Sequence, residues 1–446
     1  AQHIVAPFMD STSSKVRIIS GKSPANSRVK ELFCMKDLLE ISCGLDVHKE
    51  KIVACILTGP LGKPTRSEIR EFTTLIPDMI ELRDWIVSQN CHHVAMESTG
   101  IYWMPIYEIL EDAFSGDITL LVVNARHMKN VPGKKTDMRD SEWISTLLRA
   151  GLLNGSFIPE KRIREFRDLN RYRKSVIRDI TSQKNRIEKF LQSSGFRLSS
   201  FISDIFGASG RNIILHLIEY GQIDKTALDS CLKTKTRNRI DEILMSVNGT
   251  LSEHQRAFLR ILMTHYDSLK KHLTEIETSL EEDMAPFTLQ VEQLNSIYGI
   301  STTASCAIIA EIGIDMKPFK TAEHICSWAG LCPGNNESAG KRKNTSVTKG
   351  NPYIKSMLCE IAWVIAGKRN TYLSACYWSI KQKKGAKKAI VALARKLLVI
   401  IYTMLKQGTL FDESYFETRR KNCEQKQLSR YIRELEKHGY HVEAQS

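Results

Sequence analysis

The segment ISCGLDVHKEKIVACIL, residues 41–57, contains two short apolar runs separated by a polar turn. This pattern predicts a β-hairpin. Further along, HHVAMES (92–98) and ITLLVVN (118–124) are typical of buried strands, and GIYWMPIYEILEDAF (100–114) has the apolar period of a helix. The order hairpin, strand, helix, strand, helix predicts an α/β domain in which helices pack on a mixed sheet.

Four carboxylates occupy special places in this predicted domain. Asp46 lies near the end of the first strand, and Glu97 lies at the end of a later one. Asp137 and Asp140 stand three positions apart where the next helix begins, a spacing that puts both on one helical face. Carboxylates at neighbouring sheet ends and on a packed helix can converge, as an RNase H-like nuclease requires in order to hold two Mg²⁺ ions. The sequence therefore predicts a divalent metal site.

Each carboxylate also has a simpler interpretation. Asp46 could be a turn residue, and Glu97 could cap the following helix. The aspartate pair could be neutralised by its basic neighbours, Lys134, Lys135 and Arg139. The combination of all four in a basic protein favours the metal site.

Composition points to a polyanionic partner. The chain has 446 residues, enough for two or three domains, with a net charge of +14 and a pI near 9.2. Its basic residues are spread along most of the chain, which favours nucleic acid. Eleven cysteines without a CxxC pair indicate reduced thiols and a cytoplasmic protein. The longest apolar run, LLVIIYTML from Leu397, is too short to span a bilayer.

The middle of the chain is helical and basic. Residues 161–191 hold eleven Lys and Arg against four Asp and Glu, which favours an anionic partner along the helix. An acidic neighbour within the fold is the alternative. A second helix carries apolar residues three and four apart over three heptads, typical of a coiled coil, which could pack on the first helix or on another protomer. These apolar residues are Leu259, Leu262, Tyr266, Leu269, Leu273, Ile276 and Leu280.

The last third begins with a glycine turn and continues into a basic loop. LNSIYGISTTASCAIIAEIG (294–313) resembles a helix-hairpin-helix entry. The loop that follows is rich in Gly, Pro and Asn and contains Ser338, Thr345 and Ser346, near-equal candidates for a nucleophile on local sequence alone. KQKKGAKKAIVALARKLL (381–398) adds a basic stretch, and residues 413–446 form a charged tail with one short amphipathic helix.

Four ordered blocks carry a family resemblance. They are GLDVHKEKIVACIL (44–57), AMESTGIYWMPIYEIL (95–110), VVNARHMKNVPGKKTDMRDSEWISTLLRAGLL (122–153), and WAGLCPG (328–334) with SAGKRKNTSVTKGNPYIKSML (338–358). The chain resembles the DEDD transposases of the IS110 insertion-sequence family, which are related to the Piv DNA invertases. The resemblance covers roughly residues 41–410. This chain differs in its extension of about forty N-terminal residues and its longer middle region.

The resemblance implies a fold and a division into domains. The fold class is α/β plus α: a RuvC-like domain of RNase H fold, a long helical coiled-coil region and a mainly helical domain that bears a serine. The expected boundaries are 1–40 for the extension, 41–157 for the RuvC-like domain, 158–287 for the coiled coil with an insertion at about 195–250, 288–412 for the C-terminal transposase domain and 413–446 for the tail.

The resemblance also implies a chemistry. The family's DEDD set matches Asp46, Glu97, Asp137 and Asp140, and its catalytic serine matches Ser338. These residues imply Mg²⁺ or Mn²⁺ as cofactor, and a serine linked to a DNA phosphodiester as intermediate. The implied partners are donor DNA, target DNA, a structured non-coding bridge RNA that guides the reaction, and further copies of the chain. A dimer or tetramer with composite active sites, associated with the nucleoid, is expected.

The nucleic-acid contacts are expected from basic side chains in three regions. They are Lys134, Lys135, Arg164, Arg167, Arg171, Lys174, Arg178, Lys341, Arg342, Lys343 and Lys349. The alternatives to a transposase are a site-specific invertase of the same family, a hydrolytic RuvC-like nuclease that uses water instead of Ser338, and a non-enzymatic nucleic-acid-binding scaffold. The intact carboxylate set argues against the scaffold.

Overall fold

The computed structural model describes residues 37–98, 100–114, 118–124, 140–334, 336–338, 341–344, 346–369 and 371–439. The chain divides into two compact units, Ala1–Ser156 and Phe157–Ser446.

The first unit is built on a five-stranded mixed sheet. Its strands are β1 (Ile41–Val47), β2 (Lys51–Thr58), β3 (Arg66–Thr73), β4 (His93–Glu97) and β5 (Thr119–Val123), in the order β3-β2-β1-β4-β5. The pairs β1–β2 and β2–β3 are antiparallel, whereas β1–β4 and β4–β5 are parallel. This topology confirms the predicted hairpin and mixed sheet and is compatible with an RNase H-like domain.

Helices cover both faces of this sheet. They are α1 (Ile76–Ser88), α2 (Trp103–Phe114) and α3 (Asp140–Arg149). Phe72 of β3 shares a face with Ile52 and Val47 through the strand registers, and its ring lies 5.9 Å from that of Trp85 in α1. The helix α3 packs on β1 from the opposite side, next to Ser42. The central strand is therefore buried on both faces, as its apolar sequence predicts.

The strand β3 and helix α1 are absent from the sequence prediction. Only Phe72 is buried along β3, and its charged side chains pair at the surface, Arg70 with Glu68 and Glu71 with Lys51. A mostly solvated edge strand has too few apolar residues to show a period of two, and for this reason the pattern did not reveal it.

Two long helices dominate the second unit. They are α4 (Lys161–Ser193) and α9 (Glu253–Met284), which pack against each other. Leu259, Tyr266, Ile276 and Leu280 of the apolar seam are buried. The seam thus packs within the chain, and a coiled-coil supertwist stays a prediction. Four shorter helices connect the two long helices in sequence: α5 (Ala208–Tyr220), α6 (Lys225–Cys231), α7 (Thr234–Arg237) and α8 (Ile240–Ser246).

The remaining elements are α10 (Thr288–Asn295), α11 (Thr302–Ile312), α12 (Ala322–Trp328), the hairpin β6 (Asn336–Ser338) and β7 (Lys341–Asn344), and α13 (Pro352–Gly367), α14 (Tyr372–Lys384), α15 (Ala386–Gln407) and α16 (Glu413–Lys437). Of these elements, the helices α10 to α15 contribute residues to the same hydrophobic core. The last helix is longer than the short one predicted for the tail. No helix in the described ranges is both long enough and apolar enough to cross a membrane.

Glycine is required at position 44, where β1 meets α3. A Cβ on Gly44 would collide with the carbonyl oxygen of Ser141 and the amide nitrogen of Ser145, both backbone atoms. We expect Gly44→Ala to destabilise the first unit by about 1–3 kcal/mol, because the helix would have to move away from the sheet. Hydrogen exchange in β1 and α3, together with the urea unfolding midpoint, measures this. Gly367→Ala is the control, since a Cβ there meets open space. Unchanged exchange in Gly44→Ala would show that the close approach is unimportant.

Candidate functional site

Two of the four carboxylates lie at the ends of neighbouring parallel strands. Asp46 is the penultimate residue of β1, and Glu97 is the last residue of β4. Because Leu45 is aligned with Met96, the next position in each strand brings Asp46 beside Glu97 at the same edge of the sheet. The side chain of Asp46 is 14% exposed, and its Oδ2 lies 3.1 Å from Nε2 of His48.

The third carboxylate begins the helix on that face. Ser42, Gly44 and Asp46 alternate on one face of β1. The hydroxyl groups of Ser42 and Ser145 lie 2.9 Å apart, and the Ser145 hydroxyl donates to the Ser42 carbonyl over 2.9 Å. Ser141, one turn earlier, lies against Gly44. The N-terminal end of α3, where Asp140 stands, therefore points toward the end of β1 that carries Asp46.

An arginine anchors the other end of α3. Arg149 is 1% exposed, and its guanidinium group donates to the carbonyl oxygens of Glu40 at 2.7 Å and Gly59 at 2.8 Å. Its Nε also lies 3.2 Å from a carboxylate oxygen of Asp37. These bonds tie the helix to the chain before β1 and after β2. Sequence reasoning missed Arg149, whose only signal was a cation in the last turn of an amphipathic helix.

The ligand atoms that these residues offer are of the type that binds a hard divalent cation. Asp46, Glu97 and Asp140 offer only carboxylate oxygens, the ligands that Mg²⁺ prefers. Asp137, the fourth predicted ligand, lies outside the described residues. Among the residues that are described, no three His, Cys, Asp or Glu side chains form a group able to hold a metal ion. The metal site therefore stays a prediction.

The predicted nucleophile lies in a short hairpin of the second unit. Ser338 is the last residue of β6, and the structure describes it by its backbone, which is paired with Lys341 of β7. The two chain segments stay paired beyond these strands, where Pro333 forms a β-bridge with Val347. The Gly334 amide donates to the Ser346 carbonyl oxygen at 2.9 Å, and the Thr348 amide donates to the Cys332 carbonyl oxygen at 3.0 Å. This two-stranded arm presents Ser338 near its tip.

The base of the hairpin is fixed to the helices by Asn351. The side-chain oxygen of Asn351 caps α13 by accepting from the amides of Tyr353 and Ile354. Its amide nitrogen donates to Oε2 of Glu311 over 2.6 Å, and its backbone N–H donates to the carbonyl of Trp328. One side chain thus joins the end of the hairpin to two helices.

The buried carboxylate of Glu311 binds both an arginine and the Asn351 amide beneath the hairpin. It is 2% exposed and accepts two hydrogen bonds of 2.8 Å from the guanidinium group of Arg171. Burial alone would lower the pKa of Arg171, but the hydrogen bonds and the attraction of Glu311 raise it. Arg167 donates to the carbonyls of Ala310 and Glu311, and burial lowers its pKa to about 10. The buried carboxylate is thus held by a cation and by an amide.

Four of the basic residues predicted on α4 make contacts within the fold. Arg164 donates to the Pro159 carbonyl at 3.0 Å, Arg167 and Arg171 bind the end of α11, and Lys174 lies 3.7 Å from Glu360. The acidic and carbonyl acceptors within the fold explain much of the charge surplus, as the alternative interpretation of this helix allowed. For these four residues the role in binding nucleic acid stays a prediction.

The other predicted contacts fall into three groups. Arg178 and Lys349 are exposed and form no ion pair with a described carboxylate. Lys341, Arg342 and Lys343 lie in β7 and are described by their backbone. Lys134 and Lys135 lie outside the described residues. The role of all seven in binding nucleic acid stays a prediction. The glycine turn predicted near residue 299 joins α10 to α11, and Ser301 caps α11.

Comparison with known proteins gives matches in both units. A family model described as a transposase, DEDD_Tnp_IS110, matches residues 43–195, and a second, the transposase IS116/IS110/IS902 family, matches residues 291–378. The chain is similar to the pilin gene-inverting protein of Moraxella bovis, 27% identical over 173 residues, which are 36% of this chain and 53% of that protein. It is also similar to the putative transposase y4qE of Sinorhizobium fredii, 22% identical over 250 residues, which are 53% of this chain and 51% of that protein.

The chain spans about half the length of the curated relatives it matches. The first family model ends inside the long middle region, just after α4, and the second begins after that region. Together the two models cover just over half of the chain. The first contains Asp46, Glu97 and Asp140, and the second contains Ser338. The chain belongs to the IS116/IS110/IS902 family of transposases.

Proposed function

We propose that this protein is a DNA recombinase of the transposase type, which cuts and rejoins donor and target DNA under the guidance of a structured non-coding RNA. The observation that carries the proposal is the meeting of Asp46 and Glu97 at adjacent strand ends, with the N-terminus of α3 and its Asp140 directed to the same edge. Family membership supports a recombinase rather than another enzyme with this fold.

Ser338 is the proposed nucleophile. Its Oγ forms a bond to the phosphorus of a DNA phosphodiester while the bond from phosphorus to the 3′ oxygen breaks. The serine proton passes to a base, and the 3′ oxygen leaves as a hydroxyl after taking up a proton. After strand exchange, a 3′-hydroxyl of the partner strand attacks the phosphoserine, which restores a phosphodiester and the free serine. One bond forms for each bond broken, so the reaction needs no ATP.

The carboxylates have a proposed role in binding metal. Asp46, Glu97, Asp137 and Asp140 would hold Mg²⁺ or Mn²⁺, which supplies Lewis-acid polarisation of the scissile phosphate when bound. The Ser42–Ser145 hydrogen bonds and the Arg149 anchor support this proposal, because they fix the helix that carries Asp140 on the sheet that carries the other ligands. Lys349, which is exposed after the serine hairpin, would attract a DNA phosphate.

The RNA guide and the homo-oligomer, a dimer or tetramer in the cytoplasm, are parts of the proposal that rest on the family resemblance. The net charge of +14 supports a large polyanionic partner. The reaction joins several strands, and each cut consumes one serine until it is resealed. This requirement supports more than one copy of the chain in the active complex.

The test is a covalent protein–DNA adduct. Purified protein is incubated with DNA from the ends of its element, Mg²⁺ and co-purifying RNA, and is then run on a denaturing gel. The expected result is a slowly migrating adduct that protease removes. Nicked DNA without any adduct would instead identify a hydrolytic nuclease, which uses the same carboxylates with water as the nucleophile.

The metal ligands are tested in the same assay. We expect Glu97→Gln to lower the adduct yield by a factor on the order of 10², because an amide oxygen attracts the cation far less than a carboxylate does. Raising Mn²⁺ should recover part of the loss. Glu81→Gln, which changes an exposed carboxylate on α1, is the control. A Glu97→Gln variant with full activity and unchanged Mg²⁺ dependence would remove Glu97 from the site.

A site-specific invertase is the second candidate. It is favoured by the similarity to a pilin gene-inverting protein, a relative named for inversion. The two activities are separated by the DNA substrates. An invertase recombines two inverted sites on one molecule, whereas a transposase joins its element ends to a separate target.

A further inference from the structure

The strongest unexplained feature of the second unit is a stretch without acidic residues. From residue 361 to residue 411 the sequence contains ten Lys or Arg and no Asp or Glu. This stretch forms the end of α13, all of α14 and all of α15. A run of this length with charges of one sign repels itself unless an anion lies against it.

Among the residues that the structure describes, the cations at the junction of α14 and α15 have no acidic partner. Lys383, Lys384, Lys387 and Lys388 are exposed, and none forms an ion pair or a side-chain hydrogen bond with another described residue. Lys383 and Lys384 lie at the negative end of α14, which favours them. Lys387 and Lys388 lie in the first turn of α15, where the helix dipole disfavours a cation. Their placement favours an external anion.

Exposed aromatic rings border the same region. Trp363 of α13 is 53% exposed, and its ring lies 6.1 Å from that of Tyr377 in α14. Lys381 holds its ammonium group 4.2 Å from the ring centre of Trp378 and connects the rings to the lysine cluster. Tyr298 is 47% exposed, and the Lys368 ammonium group lies 3.8 Å from the centre of its ring.

We propose that this surface binds unpaired nucleotides, with a base stacked on Trp363 and phosphates bound by the lysines of α14 and α15. We call it the α13–α15 surface. Aromatic rings beside a positive track are the means by which proteins hold single strands, because every base has a face that can stack. A duplex offers phosphates but no free base faces, and an acidic polypeptide offers charge but no stacking partner.

The inference rests on the proposed function only for the source of the strand, which is either the guide RNA or DNA opened during recombination. Binding itself is measured without strand cleavage, so the two proposals can fail separately. A recombinase without this surface would still form the Ser338 adduct, and a binding surface can exist in a chain that makes none.

The experiment is fluorescence anisotropy of the full chain with labelled oligo-dT, labelled oligo-U and a DNA duplex of equal length. We expect Trp363→Ala to weaken single-strand binding about tenfold and Trp363→Phe to keep most of it, with a much smaller effect on the duplex. Tyr220→Ala, which removes an exposed ring from α5, is the matched control. Thermal unfolding of each variant shows whether its fold is intact.

The charge is tested separately. Replacing Lys383, Lys384, Lys387 and Lys388 with Gln should reduce the slope of log affinity against log salt by roughly 0.7 for each phosphate that the variant no longer neutralises. The control removes four exposed lysines elsewhere in the unit, Lys189, Lys270, Lys317 and Lys320.

Three outcomes would overturn the proposal. One is equal weakening by the two lysine sets, and another is a Trp363→Ala variant, folded as the wild type, that binds single strands unchanged. The third is displacement of the oligonucleotides by poly-glutamate at equal charge, since this would show that charge alone recruits the partner. If the variants weaken the binding of oligo-U and oligo-dT equally, the surface recognises base and phosphate and does not distinguish RNA from DNA. A response limited to oligo-U would assign it to RNA.

Discussion

Ser338→Ala is expected to abolish the covalent protein–DNA adduct, with a loss on the order of 10³-fold or more. Alanine removes the hydroxyl that would bond to phosphorus and changes nothing else in the side chain. Because Ser338 is the last residue of β6, the backbone pairing with Lys341 can persist in the variant. The loss should therefore appear in chemistry and not in DNA binding. Adduct yield on a denaturing gel and DNA affinity by anisotropy separate the two quantities.

The control lies in the same hairpin. Ser346 is exposed, and its carbonyl accepts from the Gly334 amide, a backbone bond that Ser346→Ala preserves. We expect Ser346→Ala to form the adduct at the wild-type level. Cleavage that continues in Ser338→Ala would show that water is the nucleophile, and loss of the adduct in Ser346→Ala alone would show that Ser338 is the wrong serine.

Glu311→Ala is expected to destabilise the second unit by about 3–5 kcal/mol. The change removes the acceptor for both guanidinium bonds of Arg171 and for the amide of Asn351, and it leaves a partly buried cation without its partner. Glu311→Gln keeps the shape and loses the charge, so a smaller loss is expected. The urea unfolding midpoint measures stability, and hydrogen exchange of residues 346–354 reports on the base of the hairpin.

An ion pair at the surface, formed by a second arginine of α4, provides the comparison. Arg173 binds Glu277 at 2.6 Å, and the Glu277 side chain is 42% exposed. Glu277→Ala should cost no more than about 1 kcal/mol, since water replaces the missing carboxylate. Equal losses in Glu277→Ala and Glu311→Ala would contradict the role assigned to burial. Below its unfolding temperature, Glu311→Ala should also lower the Ser338 adduct yield, because the hairpin loses the anchor at its base.

Elements with a strong apolar pattern were predictable from the sequence. The hairpin at residues 41–57, the strands near 94 and 121, and the long helix from Lys161 all appear where their periodicity places them. The edge strand β3 did not, because its side chains are solvated on most positions. Local pattern reflects which face of an element is buried, and it says little about an element that buries almost nothing.

The candidate site was predictable in composition but not in its supports. Asp46 and Glu97 stood out as acidic residues at strand ends, and the strand register places them together. Arg149, Glu311 and Asn351 escaped notice because their partners lie far away in sequence, 109 positions for Arg149 with Glu40 and 140 for Arg171 with Glu311. The internal acceptors of the basic face of α4 could not be predicted for the same reason, because Glu311 lies 140 positions from Arg171 in the sequence.

The double role of Asn351 limits which residues that position can accept during sequence divergence. At most helix starts, Asn, Asp and Ser are nearly interchangeable, since each offers an oxygen to the free amides. Here the side-chain amide nitrogen of Asn351 must also donate a hydrogen bond to Glu311. Aspartate would keep the cap but set a second carboxylate against the first, and serine is too short to reach both. A position that looks permissive as a helix start is thus confined to a single amide side chain.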